Sequence, residues 1–335
     1  MFLNWRYLFM FPLVLGALMA ASSMSWATAW FGLELNLLSF IPLISRPLNI
    51  YSNESALKYF LVQALGSALV IATSPLVSFW SWWSLSSISL ILSLSIKLGS
   101  APFHFWFPSV MQGISWECVL ILMTVQKIGP LFLMNQMFLL NEFTCNLLKS
   151  FSMLSAIIGG VGGLNQTLLR KIMAYSSINH MGWMMAAIYH SKNMLIFYFL
   201  TYCLIASSIV IMFMTHQMNH FNQIYLLAKY NSYLKILVFC MLLSLGGLPP
   251  FYGFLPKMML TLFMAEMCEL LWLSIMMVST MMSLYYYIKI FTAGSTMMSF
   301  TSNPILMNHW HNMFYILILL NFLPLFNPTL FMFPL

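Results

Sequence analysis

The chain has 335 residues, of which 61% are hydrophobic and 6% charged. Soluble domains carry about 25% charged residues, so this chain could not cover a water-facing surface and reads as a membrane protein. Thirteen Lys and Arg stand against six Glu, a net charge of +7; scattered singly through apolar sequence, they form no nucleic-acid-binding face and act as topology signals.

A membrane span needs about 20 apolar residues. Eleven segments qualify: 7–24, 26–44, 55–73, 86–110, 116–134, 143–163, 170–190, 194–214, 234–266, 270–291 and 310–331. The expected fold is therefore an all-α polytopic membrane protein of about 11 helices, a single membrane domain over 1–335. The first segment, within "MFLNWRYLFMF", has one Arg and no A-x-A cleavage signal, so it is expected to be a retained span. The second carries Glu34 near its middle.

The fourth segment is too long for one helix and contains "KLGSAPFHFWFP", 97–108. Lys97 is followed at once by Gly99, Ser100 and Pro102. Proline lacks an N–H and the Gly-Ser pair permits an irregular turn, so a break is expected within 98–102. Non-helical backbone at membrane depth survives only inside protein or beside water. The carbonyls freed there are expected to face a polar pocket that holds Lys97, with His104 as a possible relay group. In the fifth segment Pro130 follows Lys127; it is expected to kink the helix and release the carbonyl of Gln126.

"GGVGG", 159–163, closes the sixth segment and most simply allows close helix contact. In the seventh, "SSINHMGW" puts His180 at mid-depth. It is either an interhelical hydrogen-bonding group or a proton-relay member. His216 and His220, spaced i, i+4, lie in the polar loop 215–233 with no acid or Cys beside them, and read as loop rather than metal site. The ninth segment, again too long, contains "LGGLPPFYGFLP", 245–256. Gly246, Gly247, Pro249 and Pro250 predict a second break within 246–250, and Lys257 opens the second half. Glu266 and Glu269 fall at a helix end and read as solvated. His309-Trp310-His311 reads as an interfacial belt. The five cysteines are widely spaced without a C-x-x-C, so neither a disulfide framework nor a zinc or iron–sulfur site is expected.

If the chain alternates sides, one side receives Arg6, Arg46, Lys58, Arg170, Lys171, Lys229, Lys235 and Lys289. The other receives Lys149 and Lys192. This bias places the N-terminus inside, in the cytoplasm or matrix, and the C-terminus outside. Glu34, Lys97, Lys127 and Lys257 remain near mid-membrane. Each costs about 2.5–3.5 kcal/mol at a helix centre, together on the order of 10 kcal/mol, so they must face the interior, pair or meet water. One acid cannot neutralise three amines. A proton or cation path therefore explains the set better than structural ion pairs alone.

The two breaks share P-F-aromatic-x-x-x-P, from Pro102 to Pro108 and from Pro250 to Pro256, 148 residues apart. By the alternation they run in opposite directions. Inverted repeats with broken helices near mid-membrane are the architecture of ion-coupled transporters.

"WFGLELNLLSFIPLI" (30–44), "KLGSAPFHFWFP" (97–108), "MTVQKIGPL" (123–131), "GGLNQTLLRKIMAYSSINHMGWM" (162–184) and "LLSLGGLPPFYGFLPK" (242–257) closely resemble the chain 2 family of mitochondrial NADH:ubiquinone oxidoreductase, respiratory complex I. The resemblance runs from about residue 25 to about residue 290. It weakens at the first span, over 215–233 and in the C-terminal 45 residues. Thirty-one Met fit a genetic code that reads extra codons as Met, as in animal mitochondria, and the style resembles an arthropod version. The resemblance implies an antiporter-like proton pump of the membrane arm in the mitochondrial inner membrane, with the N-terminus in the matrix and the C-terminus in the intermembrane space. It implies that Glu34 pairs with Lys97, that Lys127 is the central proton carrier, and that Lys257 passes charge toward a neighbouring antiporter-like subunit. Energy comes from NADH-to-ubiquinone electron transfer elsewhere. NADH, FMN, iron–sulfur clusters and ubiquinone are expected in other subunits and no cofactor in this chain. Expected partners are the other membrane-arm subunits and lipids, cardiolipin among them. The competing readings are a stand-alone secondary cation/proton antiporter and a structural membrane scaffold.

Overall fold

A computed structural model describes residues 4–46, 49–75, 83–138, 142–224 and 232–296. In chain order the helices are α1 (Asn4–Ser22), α2 (Trp26–Ile44), α3 (Ile50–Thr73), α4 (Trp83–Leu98), α5 (Trp106–Gly113), α6 (Trp116–Met123) and α7 (Val125–Phe138). They continue with α8 (Glu142–Gly162), α9 (Leu169–His190), α10 (Lys192–Thr215), α11 (Ser232–Gly246), α12 (Phe254–Glu266) and α13 (Leu270–Thr296). The first ten expected spans correspond to helix or to paired half-helices. The eleventh, 310–331, lies outside the described residues, as do Lys229, His309 and His311. Among the described residues an isolated β-bridge, Leu168 to His220, is the extended pairing present. It ties the α8–α9 loop to the segment after α10, the loop that contains His216 and His220.

The chain divides into two compact units, Met1–Ser155 and Ala156–Leu335. In the first, α1 and α2 pack backbone against backbone. A Cβ on Gly16 would lie 2.7 Å from the Gly32 carbonyl oxygen, and one on Gly32 would lie 2.7 Å from the Ala20 nitrogen. Small residues at helix crossings let dispersion act where lipid supplies no hydrophobic driving force. Gly129 brings α7 against Ala20 and Leu33 in the same way.

In the second unit α9 is the central helix: nearly every residue from Ile172 to Ile188 is buried. That burial explains how a membrane helix tolerates Ser176, Ser177, Asn179 and His180, since none of them meets lipid. The "GGVGG" stretch makes the contacts expected of it. Gly159 sits on the Asn179 backbone, Gly160 on Ser279, Gly162 on the Tyr175 ring and Gly163 on the Tyr286 ring. Many serines satisfy their hydroxyls within their own helix; Ser89, Ser93 and Ser95 of α4 donate to the carbonyls of Ser86, Leu90 and Leu92.

Both expected breaks are present, and they are built alike. The first runs from Gly99 to Phe105 and the second from Gly247 to Gly253. Adding 148 to the first helix end, Leu98, and to the next helix start, Trp106, gives Gly246 and Phe254, the corresponding points of the second. Each break opens on a left-handed glycine, Gly99 at φ 68° and Gly247 at φ 82°. The amides close a Schellman pattern in both: Gly99 to Ile96 and Ser100 to Ser95, then Gly247 to Ser244 and Leu248 to Leu243. Only glycine adopts this conformation without steric penalty, so the repeat extends from sequence to backbone angle.

The fifth span carries an interruption that was not expected. α7 runs through Pro130, and the interruption lies six residues earlier, at Thr124. Thr124 takes φ −114°, ψ −79°, and its hydroxyl donates to the Leu120 carbonyl at 2.7 Å. Such back-bonding by Ser and Thr bends apolar helices. The turn puts Lys127 in the first turn of a new helix.

Candidate functional site

Among the described residues three lysines are buried. Lys97 is 6%, Lys127 2% and Lys257 6% exposed.

In the first unit the polar groups converge on the Gly99–Phe105 break from α2, α3, α4 and α7. The aliphatic stem of Lys97 lies along Gly66 of α3, where a Cβ would come within 2.8 Å of Lys97 Cγ. The carbonyls at the end of α4 accept from neutral donors. The Lys97 carbonyl accepts from Gln63 Nε2 at 3.0 Å, the Ile96 carbonyl from Trp106 Nε1 at 3.1 Å, and the Ser95 carbonyl from the Ser100 hydroxyl at 3.3 Å. Neutral donors have taken those acceptors, and the charge is left to other partners.

Glu34 is half-buried, and its Oε2 is buried with no hydrogen-bond partner. It lies close enough to Lys97 and Tyr59 to act on both through its charge. Among the described residues, however, no ion pair within 4.0 Å joins Glu34 to Lys97. The expected pair is therefore present as neighbours rather than in contact.

Lys127 Nζ stands 5.6 Å from the Phe107 ring centroid, a cation–π distance. Phe107 itself packs on Gly99, so Lys127 is anchored to the first break. Next to it runs a hydrogen-bonded chain that the sequence reading missed. The Tyr59 hydroxyl donates to Gln126 Oε1 at 3.0 Å, and Gln126 Nε2 donates to Asn36 Oδ1 at 2.9 Å. The signals were there: Asn36 follows Glu34 by two residues, Gln126 precedes Lys127, and Tyr59 and Gln63 share a helix face at i, i+4. His104 sits in the break with Nδ1 3.2 Å from the Pro102 carbonyl and its ring 4.3 Å from that of Phe105.

In the second unit Lys257 binds the helix end at its break directly. Its ammonium donates to the carbonyls of Gly246, at 2.8 Å, and Leu245, at 3.3 Å. These are the last residues of α11, whose helix dipole is negative at that end. A Cβ on Gly247 would lie 2.9 Å from Lys257 Cδ and 3.1 Å from Nζ, so this glycine also makes room for the charge. Gly253 closes the break against α11, where a Cβ would overlap the Ser244 carbonyl oxygen. His180 Nδ1 meets the Tyr198 hydroxyl at 2.9 Å, joining α9 to α10, and its ring lies 5.0 Å from that of Tyr202. The interhelical hydrogen bond is thus present.

Cationic groups held on freed carbonyls and aromatic faces inside apolar helices are suited to exchanging protons or small cations. Comparison with known proteins agrees. The family model described as NADH:quinone oxidoreductase/Mrp antiporter, transmembrane, matches residues 23–283. The chain is 43% identical over 313 residues to NADH-ubiquinone oxidoreductase chain 2 of Anopheles gambiae, covering 91% of this chain and 90% of that one. The Aedes aegypti protein of the same name is 44% identical with the same coverage. A chain of respiratory complex I from Thermus thermophilus superposes with a TM-score of 0.82 at 26% identity, over 97% of this chain and 80% of that one. The chain belongs to the NADH:quinone oxidoreductase/Mrp antiporter membrane family, within its NADH-ubiquinone oxidoreductase chain 2 branch.

Proposed function

We propose that this chain is a proton-translocating core subunit of the membrane arm of respiratory complex I, in the mitochondrial inner membrane, and that Glu34, Lys97, Lys127 and Lys257 carry the protons. The observation that carries this reading is three lysines, none more than 6% exposed, in a helical membrane chain of this family. Buried amines in a membrane mark ion or proton paths by default. The separation of Glu34 from Lys97 fits a switch: a pair that closes and opens changes the field at Lys127. Electron transfer from NADH to ubiquinone takes place in other subunits, whose cofactors this chain does not carry. Partners are neighbouring membrane-arm subunits and lipids, cardiolipin included, along exposed apolar faces such as that of Leu57, Leu61 and Leu65.

The experiment that tests the reading is mild solubilisation. The chain is expected to migrate with NADH-oxidising activity in an assembly many times its 38.6 kDa mass. Migration alone, with cation/proton exchange that needs no NADH, would establish the stand-alone antiporter instead. The charge bias supports a topology in which the N-terminus and the Arg170-Lys171 loop lie in the matrix. Protease cleavage of the C-terminus from the matrix side of intact membranes would reverse it.

A further inference from the structure

At the α8–α9 loop end of the second unit lies a cavity of about 420 Å3. Its lining includes Asn165, Gln166, Thr167, Phe221, Tyr286 and Lys289. The bridge from Leu168 to His220 holds the two loops that enclose it. By the charge bias this is the matrix end, shared with Arg170 and Lys171.

Tyr286 forms the inner wall. Its ring lies on Gly163, where a Cβ would come within 2.7 Å of Cε1, and the residue is 2% exposed. Tyr287 follows, with its ring centroid 4.5 Å from that of Tyr286 and 1% exposed. The two hydroxyls and that of Ser176 are neighbours, yet neither phenol makes a hydrogen bond of ordinary geometry within the protein. A buried hydroxyl without a partner costs about 1–3 kcal/mol, so two adjacent ones point to a polar passage that water completes. Tyr287 also borders the residue that holds Lys257. The Tyr287 ring lies against Gly246, with Cδ2 3.4 Å from where a Cβ would stand, and the Gly246 carbonyl accepts from Lys257 Nζ.

We propose that the Tyr286 and Tyr287 hydroxyls conduct protons between the loop-end cavity and Lys257, an inference that rests on reading Lys257 as a proton carrier. The transfer is a relay of hydrogen bonds. When the inner wall opens enough for cavity water to reach the buried Tyr286 oxygen, a proton joins that oxygen as the original hydroxyl proton leaves toward Tyr287. The same exchange at Tyr287, through intervening water, delivers one proton to a neutral Lys257 amine. Each phenol ends as it began, and one positive charge has moved.

Tyr286→Phe and Tyr287→Phe keep the rings on Gly163 and Gly246 and remove only the hydroxyls. In the assembled complex each is expected to slow proton-coupled NADH oxidation roughly tenfold, less than the hundredfold or more of a group that itself changes protonation, because water can partly substitute. The solvent deuterium isotope effect is expected to rise, a change that a packing role would not produce. Wild-type rates with an unchanged isotope effect in both variants would overturn the proposal. If either variant fails to assemble, a high-resolution structure of the native assembly decides. Ordered water joining the two hydroxyls to the cavity supports the relay, and a dry contact rejects it. Lys257→Met is the control: normal pumping there would reject the role of Lys257 itself, a failure distinct from that of the tyrosines.

Discussion

Lys127→Arg is expected to assemble normally and to lose proton pumping, with coupled electron transfer reduced by at least about a hundredfold, the scale of a lost proton-transfer group. The variant retains the charge. A guanidinium stacks on an aromatic face as well as an ammonium does, so the contact with Phe107, 5.6 Å away, is preserved. What it lacks is the ability to release a proton at any accessible pH. Lys127→Met, which lacks both charge and proton, is expected to assemble and fail in the same assay. The measurement is the proton-to-electron ratio in reconstituted vesicles. If the Arg variant pumps at the normal ratio, Lys127 is a fixed charge and the path runs through other groups.

The surroundings of Lys127 are the reason this position is expected to be sensitive. Glu34 stands near Lys97 without touching it. Closing that gap neutralises one acid and one amine together; opening it leaves a free carboxylate charge among α2, α3 and α7. The Tyr59–Gln126–Asn36 chain runs beside Lys127 and ties the same three helices. A shift in α2 that moves Glu34 would therefore also move Asn36, two residues on, and pull on the residue preceding Lys127.

Much of this was legible in the sequence because the physics of a bilayer is severe. Apolar length locates spans. Glycine and proline at charged mid-depth positions locate breaks, and Gly99 and Gly247 fall at matching points of the two. What the sequence did not disclose is which acceptor each charge would find. Lys97 and Lys257 look alike in one dimension, each beside a break. Lys97 precedes its break, so its own helix ends beneath it and Gln63 and Trp106 reach the carbonyls first. Lys257 follows its break, and its side chain reaches back over the exposed end of α11. The interruption at Thr124 was hidden for a different reason. Proline draws attention, whereas a threonine bonding to its own helix carries no compositional mark.

The geometry at Lys257 separates two roles that its removal would confound. Its ammonium satisfies the Leu245 and Gly246 carbonyls, so Lys257→Met leaves two buried acceptors without their charged donor, a loss of about 1.5–3 kcal/mol. That variant is expected to weaken the second break as well as stop proton passage, and reduced assembly alone would not reveal a proton role. Lys257→Arg keeps a donor on the same carbonyls beside Gly247, whose missing Cβ leaves the space. It is expected to assemble to near-normal levels while pumping is lost, because the guanidinium stays charged. Comparing assembly yield with proton-to-electron ratio in the two variants divides the helix-capping contribution from the proton-carrying one. Should the Arg variant both assemble and pump normally, Lys257 is a cap for α11 and nothing more, and protons must leave this half of the chain through other groups.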